Sequence, residues 1–105
     1  MRQIATVPNA QEVPYRIMLY APEDDSGVYL FLFRSLEDGA CYADYWFEAV
    51  EKALECARQE YGVEKTHWQA IPDPSPGCQH DWIAPIRVVR DSRGYPIQPV
   101  QFELL

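Results

Sequence analysis

The stretch from Asp44 to Gly62 reads DYWFEAVEKALECARQEYG and carries the clearest periodic pattern of the chain. Apolar residues recur there at intervals of three and four, as on one face of an α-helix: Phe47, Val50, Leu54, Ala57 and Tyr61. Asp44 is placed to cap the first turn with its carboxylate, and Gly62 can end the helix in the left-handed conformation. The sequence therefore predicts an amphipathic helix over residues 44–61.

The segments before this helix have the patterns of β-strands and turns. Residues 15–21 alternate in hydrophobicity, whereas residues 28–34 are apolar on both faces, which is typical of a strand inside a sheet. Turn-forming residues occupy 22–27 and 36–39, and residues 40–43 are able to form a short third strand. The first half therefore predicts a β-meander.

Residues 1–13 show no sustained period, and Pro8 interrupts them. Ile4, Ala5 and Val7 are able to add a short strand at the edge of the sheet, where proline is tolerated nearby. The sequence predicts a weakly ordered segment here.

After the helix, residues 65–71 alternate again and predict a strand. The sequence PDPSP at 72–76 predicts a stiff extended connector, because proline fixes the backbone and lacks an N–H. Residues 82–90 and 95–104 predict an antiparallel pair of proline-bearing strands around a turn at 91–94.

These elements predict one α+β domain over residues 1–105, a usual size for a single domain. Its order is β-β-(β)-α-β-β-β: a mostly antiparallel sheet of five to six strands with the helix packed on one face. We expect the apolar face of the helix to contact a set of strand residues: Ile17, Leu19, Leu30, Leu32, and Trp68 or Val88.

The chain is acidic, with sixteen Asp and Glu, nine Lys and Arg and a net charge of −7. An acidic surface repels a nucleic-acid backbone, which is bound by clustered basic residues. We therefore expect no nucleic-acid binding, and a protein partner, if there is one, is expected to be basic.

The three cysteines, Cys41, Cys56 and Cys78, are an odd number without a CxxC pair, which is a poor disulfide framework. No secretory signal and no apolar run of membrane-spanning length is present in this sequence. The expectation is a cytoplasmic protein with no membrane association.

The sequence GCQHDW at residues 77–82 brings together a thiol, an imidazole, a carboxylate and an indole. Cys78 is a possible nucleophile with His80 or His67 as its base, and Asp81 is the carboxylate beside them. Cys78 and His80 are also possible zinc ligands with His67 and Cys41, but the spacing lacks the paired ligands of recurrent zinc sites. We favour the third interpretation, a structural loop in which His80 and Asp81 bond to the backbone and Trp82 anchors the next strand. No catalytic residue, metal or cofactor is therefore assigned.

A second cluster consists of the aromatic residues Tyr42, Tyr45 and Trp46 at the predicted start of the helix. Partly exposed Tyr and Trp are enriched in protein interfaces, although such residues also cover the ends of sheets. We predict a non-enzymatic protein-interaction or accessory domain, monomeric or homodimeric, with these contact residues: Tyr42, Tyr45, Trp46, Gln79, His80 and Trp82. The alternative is a thiol- or metal-dependent enzyme, or a zinc-binding protein, centred on Cys78, His80 and His67.

Overall fold

A computed structural model describes residues 1–105. Along the chain it contains β1 (Arg2–Thr6), β2 (Arg16–Tyr20), β3 (Val28–Phe33), β4 (Ala43–Phe47), α1 (Val50–Tyr61), a 3-10 turn (Lys65–His67), β5 (Gln69–Ile71), β6 (Ile86–Val88) and β7 (Phe102–Leu104). The first five strands form an antiparallel sheet in the order β4-β3-β2-β1-β5, and β6 pairs with β7 in a separate two-stranded sheet. The predicted α+β class is confirmed.

Both faces of the central strands are covered, which explains why β3 is apolar on both sides. Ile17 and Leu19 of β2 belong to the core beneath the helix. Met18 and Tyr20, one residue out of phase, belong to a second core with Phe31 on the opposite face. We call the face under the helix the helix face and the other the loop face, because the chain that follows β5 covers it.

The helix begins at Val50, so its predicted start and the predicted cap at Asp44 are wrong. Its N-cap is Ala49, whose side chain makes no capping hydrogen bond, and Asp44 lies in β4 opposite Phe31. Residues 43–47 are rich in aromatic side chains that favour strands, and pairing with β3 covers what would otherwise be an open strand edge. The predicted end is confirmed, because Gly62 caps the helix with a φ of 68°.

The N-terminal segment contains a strand in the interior of the sheet, where the sequence predicts at most a short edge strand. β1 lies inside the sheet between β2 and β5, with Arg2 and Ala5 buried. The hydrogen-bonding partners of β1 come from both sides of it, including a strand some 65 residues later in the chain. Its order therefore depends on long-range pairing, which leaves no periodic signal in a five-residue strand.

The last third contains less strand than the sequence predicts. Residues 65–67 form a 3-10 turn, and β5, β6 and β7 have three residues each. Prolines remove the N–H donors that a longer ladder requires. Trp68 packs against the helix-face core, as expected, whereas Val88 lies in the separate two-stranded sheet. No helix of the structure combines the length and the apolar character needed to cross a membrane.

The helix contacts the sheet through small residues. Ala53 and Ala57 are completely buried, whereas Leu54 is only partly buried at the flank of the core. The predicted apolar face thus packs on the sheet, but at its centre the buried residue is Ala53 and not Leu54. Alanine at this contact leaves no room for a longer side chain.

Replacing Ala57 with leucine tests this packing. We expect Ala57→Leu to lower the free energy of unfolding by about 1–3 kcal/mol, because extra methyl groups in a filled core force strain on their neighbours. Urea unfolding measures the change, with Gln59→Leu on the exposed side of the helix as the control. An Ala57→Leu protein as stable as the parent would show that helix and sheet are not in close contact.

Candidate functional site

A cleft of about 450 Å³ lies on the loop face, between the sheet and the loop that follows the proline-rich connector. The loop contributes four residues, 78–81, which we call the 78–81 loop. The sheet contributes aromatic and polar side chains from β3 and from the chain around the start of β4. The full lining is Tyr29, Phe31, Cys41, Asp44, Cys78, Gln79, His80 and Asp81. We call this feature the sheet–loop cleft.

Arg2 holds the loop on the sheet. This side chain is almost completely buried, with 2% of the residue exposed. Its Nε donates to the carbonyl oxygen of Pro72 at 2.8 Å, and its Nη1 donates to those of His80 at 3.0 Å and Trp82 at 2.5 Å. Nη2 adds a longer contact of 3.4 Å to the carbonyl of Ile83. One guanidinium therefore donates to four carbonyl oxygens of residues that lie 70 to 81 positions away in sequence.

Burial lowers the pKa of Arg2, and the charge of Asp73 acts in the opposite direction. A buried cation is tolerated when its N–H groups are bonded, since each bond to a charged group offsets part of the lost hydration. The backbone carbonyls of the loop provide this compensation. Burial of Arg2 and ordering of the loop are therefore coupled.

Two carboxylates fix the loop from the other side. Asp38, in the turn after β3, accepts hydrogen bonds from the backbone N–H of Ile83 at 2.9 Å and of Ala84 at 2.8 Å. Asp81 of the loop accepts one from the backbone N–H of Cys41 at 2.8 Å. Carbonyls of residues 72–83 thus bond to Arg2 of β1, and the amides of Ile83 and Ala84, together with the Asp81 carboxylate, bond to the chain between β3 and β4.

Aromatic rings form one wall of the cleft and continue beside it. The rings of Tyr29 and Phe31 are parallel within 3°, with centroids 6.0 Å apart. The His80 ring is exposed and lies 4.9 Å from the ring of Tyr20, tilted by 56°. The cleft therefore combines π-electron surfaces with the carboxylates of Asp44 and Asp81.

The two thiols of the cleft differ in their surroundings. Burial, together with a hydrogen bond to Asp81 and its negative charge, raises the pKa of Cys41 to about 12. Cys41 is therefore protonated at neutral pH and is a poor nucleophile. Cys78 is buried, and its backbone N–H donates to the carbonyl of Ser75 at 3.0 Å. All three cysteines of the chain are free thiols.

His67 does not join Cys78 and His80. It lies in the 3-10 turn, where its Nδ1 accepts the backbone N–H of Glu64 at 2.9 Å. It lines a separate depression beside Thr6 and does not contribute to the sheet–loop cleft. No group of three or more His, Cys, Asp or Glu side chains is placed to hold a metal ion. The structure therefore does not assemble the predicted three-residue centre.

The predicted aromatic contacts separate onto different surfaces. Trp46 shares the loop face with its cross-strand partner Tyr29, and 54% of it is exposed. Its indole N–H donates to the carbonyl of Ser26 at 3.0 Å, and the ring covers Gly27 so closely that a Cβ there would lie 2.0 Å from Nε1. Gly27 has a φ of 113°, so glycine is required at this position on two grounds.

The remaining aromatic candidates lie outside the cleft. Tyr42 packs on the helix-face core with the guanidinium of Arg34 over its ring at 4.5 Å. Tyr45 is 49% exposed on the edge strand, one residue out of phase with Trp46. Trp82 contacts Phe102 of the small sheet, with ring centroids 6.1 Å apart. Of the six predicted contact residues, only Gln79 and His80 line the cleft.

Sequence reasoning did not select Arg2, Asp38 or Tyr29, and it assigned Asp44 a different role. Arg2 stands at the start of a short strand, and its acceptors are backbone carbonyls, which every residue possesses. Asp38 resembles any turn aspartate. The only available signal is the arginine itself in a short apolar segment, because a buried arginine requires acceptors from elsewhere.

No protein-family model, curated protein or solved structure matches this chain.

Asp81→Asn tests the origin of the raised Cys41 pKa. Asparagine can still accept the Cys41 N–H but carries no charge, so we expect the pKa of the thiol to fall. Below the pKa, each unit of decrease raises the thiolate fraction about tenfold. Iodoacetamide labelling at pH 8, quantified for the Cys41 peptide by mass spectrometry, should be faster in Asp81→Asn than in the parent.

Asp25→Asn, at a remote exposed turn, is the matched control and should leave the rate unchanged. Equal labelling rates of Cys41 in the parent and in Asp81→Asn would contradict the assigned contact between Cys41 and Asp81.

Proposed function

We propose that this protein is a small non-enzymatic interaction domain of the cytoplasm whose sheet–loop cleft binds a basic segment of a partner protein. The observation that carries the proposal is the lining of the cleft. It contains two carboxylates and several aromatic rings, and no lysine or arginine. The three free thiols favour a reducing compartment.

The chemistry of the cleft suits a cationic side chain. Asp44 is exposed at the cleft and takes part in none of the four ion pairs of the structure. A lysine or arginine entering here can approach that carboxylate while its charge faces the ring of Tyr29 or Phe31. Carboxylate contacts and cation–π contacts both favour a cation over a neutral side chain.

The neighbouring strand favours an extended partner segment. β4 is an edge strand, paired with β3 on one side only. A peptide that adds to such an edge gains backbone hydrogen bonds and directs alternate side chains to the same face. A basic side chain of such a peptide can enter the cleft beside Asp44. The net charge of −7 attracts basic partners at long range and accelerates encounter.

The alternative function, a thiol- or metal-dependent protein centred on Cys78, His80 and His67, has less support. His67 lines a different depression, and the second thiol of the cleft, Cys41, has its pKa raised to about 12. Nucleophilic catalysis requires a thiolate and a base in contact with it.

A pair of peptides tests the proposal. One is an acetylated and amidated Thr-Val-Lys-Val-Thr peptide, and the other has norleucine in place of lysine. We expect the lysine peptide to cause saturable amide shifts in β4 and in the 78–81 loop in heteronuclear NMR spectra, and to bind more tightly than the norleucine peptide. Asp44→Asn should lower the affinity for the lysine peptide by about two- to fivefold, as expected for the loss of a partly exposed ion pair.

Glu23→Gln removes an exposed carboxylate outside the cleft and is the matched control. It should leave the affinity unchanged at fixed ionic strength. Equal affinity for both peptides, equal effects of the two variants, or shifts confined to residues outside β4 and the 78–81 loop would each contradict the proposal.

A further inference from the structure

A second arginine is buried in the sheet, and its environment contrasts with that of Arg2. Arg16 of β2 lies between Thr6 of β1 and Phe33 of β3 on the loop face, and 4% of it is exposed. Its Nε and Nη2 are enclosed and have no hydrogen-bond acceptor. Every other buried side-chain nitrogen or oxygen in the chain has a partner.

The contacts that Arg16 does make provide no acceptor for the N–H groups of Nε and Nη2. Its guanidinium carbon lies 4.2 Å from the centre of the Phe33 ring. This cation–π contact stabilises the charge but provides no acceptor. Burial lowers the pKa of Arg16, and the charge of Asp38 acts against this without a hydrogen bond between the two residues. A buried cation with free N–H groups is costly and is normally matched by an anion or another acceptor.

A depression of about 180 Å³ adjoins this side chain. Its lining is Ile4, Ala5, Thr6, Arg16, His67 and Gln69. The Thr6 hydroxyl and the Gln69 amide are hydrogen-bond donors. Because Nδ1 of His67 accepts a hydrogen bond from Glu64, the ring proton of the neutral imidazole is on Nε2, which is a further donor. No carboxylate side chain lines the depression.

We propose that this depression binds a small oxyanion, the phosphate or carboxylate group of a ligand, with Arg16 as its counter-ion. Binding requires the guanidinium to turn from the Phe33 ring towards the depression, so that an enclosed N–H meets the anion. Thr6, His67 and Gln69 then donate to the remaining oxygens. The site shares no residue with the sheet–loop cleft and is independent of the function proposed for it.

The size of the depression indicates that only the anionic group enters it. A phosphate monoester and the carboxylate of a peptide present the same chemistry to these donors, since both are oxyanions that accept several hydrogen bonds. Inorganic phosphate and acetate serve as the two probes, and their relative affinities distinguish these sources.

The test is a titration at constant ionic strength, in which sodium phosphate or sodium acetate replaces sodium chloride at a fixed pH. NMR follows the Nε–H of Arg16 and the side-chain amide of Gln69, and thermal unfolding is measured on the same samples. We expect saturable shifts at both groups with at least one probe, and a higher unfolding temperature in that probe than in chloride.

Arg16→Met retains a long side chain over Phe33 and removes the charge. We expect it to abolish the stabilisation by the anion, and to unfold in chloride at a temperature no lower than the parent, because it removes an uncompensated buried charge. Gln69→Leu changes an exposed position and leaves Arg16 in place, so its folding is not affected by the loss of the buried arginine. It should weaken anion binding, whereas Gln101→Leu, outside the depression, should not.

The proposal is overturned if neither probe produces saturable shifts at Arg16 or Gln69, or if Arg16→Met retains the stabilisation. A large loss of stability on Arg16→Met in chloride would also overturn it, because that result would mean that the charge is already compensated within the fold. Failure of Arg16→Met to fold would overturn the proposal for the same reason. Equal anion affinity of Gln69→Leu and Gln101→Leu would overturn it independently.

Discussion

The guanidinium of Arg2 joins the two halves of this protein. It is buried in β1, in the interior of the five-stranded sheet, and its N–H groups meet the carbonyl oxygens of Pro72, His80, Trp82 and Ile83. Burial of either group is unfavourable without the other. The cation needs hydrogen-bond acceptors once it leaves water, and the backbone carbonyls need donors where they lie against the sheet. The loop-face core and the sheet–loop cleft both depend on these hydrogen bonds.

Local patterns are sufficient for those parts of the fold that local physics controls. Strands β2 and β3 follow from alternation and from a run that is apolar on both faces, and the end of the helix follows from Gly62. The segment around Asp44 shows the limit. Phe47 fits the helical spacing, yet the edge of β3 is open to residues 43–47, and strand pairing prevails over the pattern. β1 is ordered for the same reason, by neighbours that come from distant parts of the sequence.

The site shows a similar division. Residue chemistry alone draws attention to the 78–81 loop, and Gln79 and His80 do line a cleft. What lies opposite them is decided by Arg2 and Asp38, which act through backbone groups and therefore leave no motif. Residue type also suggests His67 as a third member of a catalytic or metal centre. Its ring instead accepts a hydrogen bond from the backbone N–H of Glu64 in its own turn. Residue type identifies candidates, and long-range contacts decide which of them meet.

Arg2 and Arg16 occupy the same face of one sheet and differ in what surrounds them. Backbone carbonyls accept hydrogen bonds from Arg2, whereas the buried Nε and Nη2 of Arg16 have no acceptor. This difference, and not burial, distinguishes Arg2 from the binding role that we propose for Arg16, because both side chains are more than nine-tenths buried. The ligands proposed for the two sites carry opposite charges: a basic segment for the acidic aromatic cleft and an oxyanion for the donor-lined depression.

The most direct test of the central claim, that Arg2 places the loop on the sheet, is the proton–proton Overhauser contact between the rings of Tyr20 and His80, whose centroids lie 4.9 Å apart. It should be measured in the parent and in Arg2→Met, with the cross-strand contact between Leu19 and Leu30 as the internal reference for the sheet. We expect the ring contact in the parent and its loss in Arg2→Met while the reference contact persists. A ring contact absent from the parent, or unchanged in Arg2→Met, would contradict the claim.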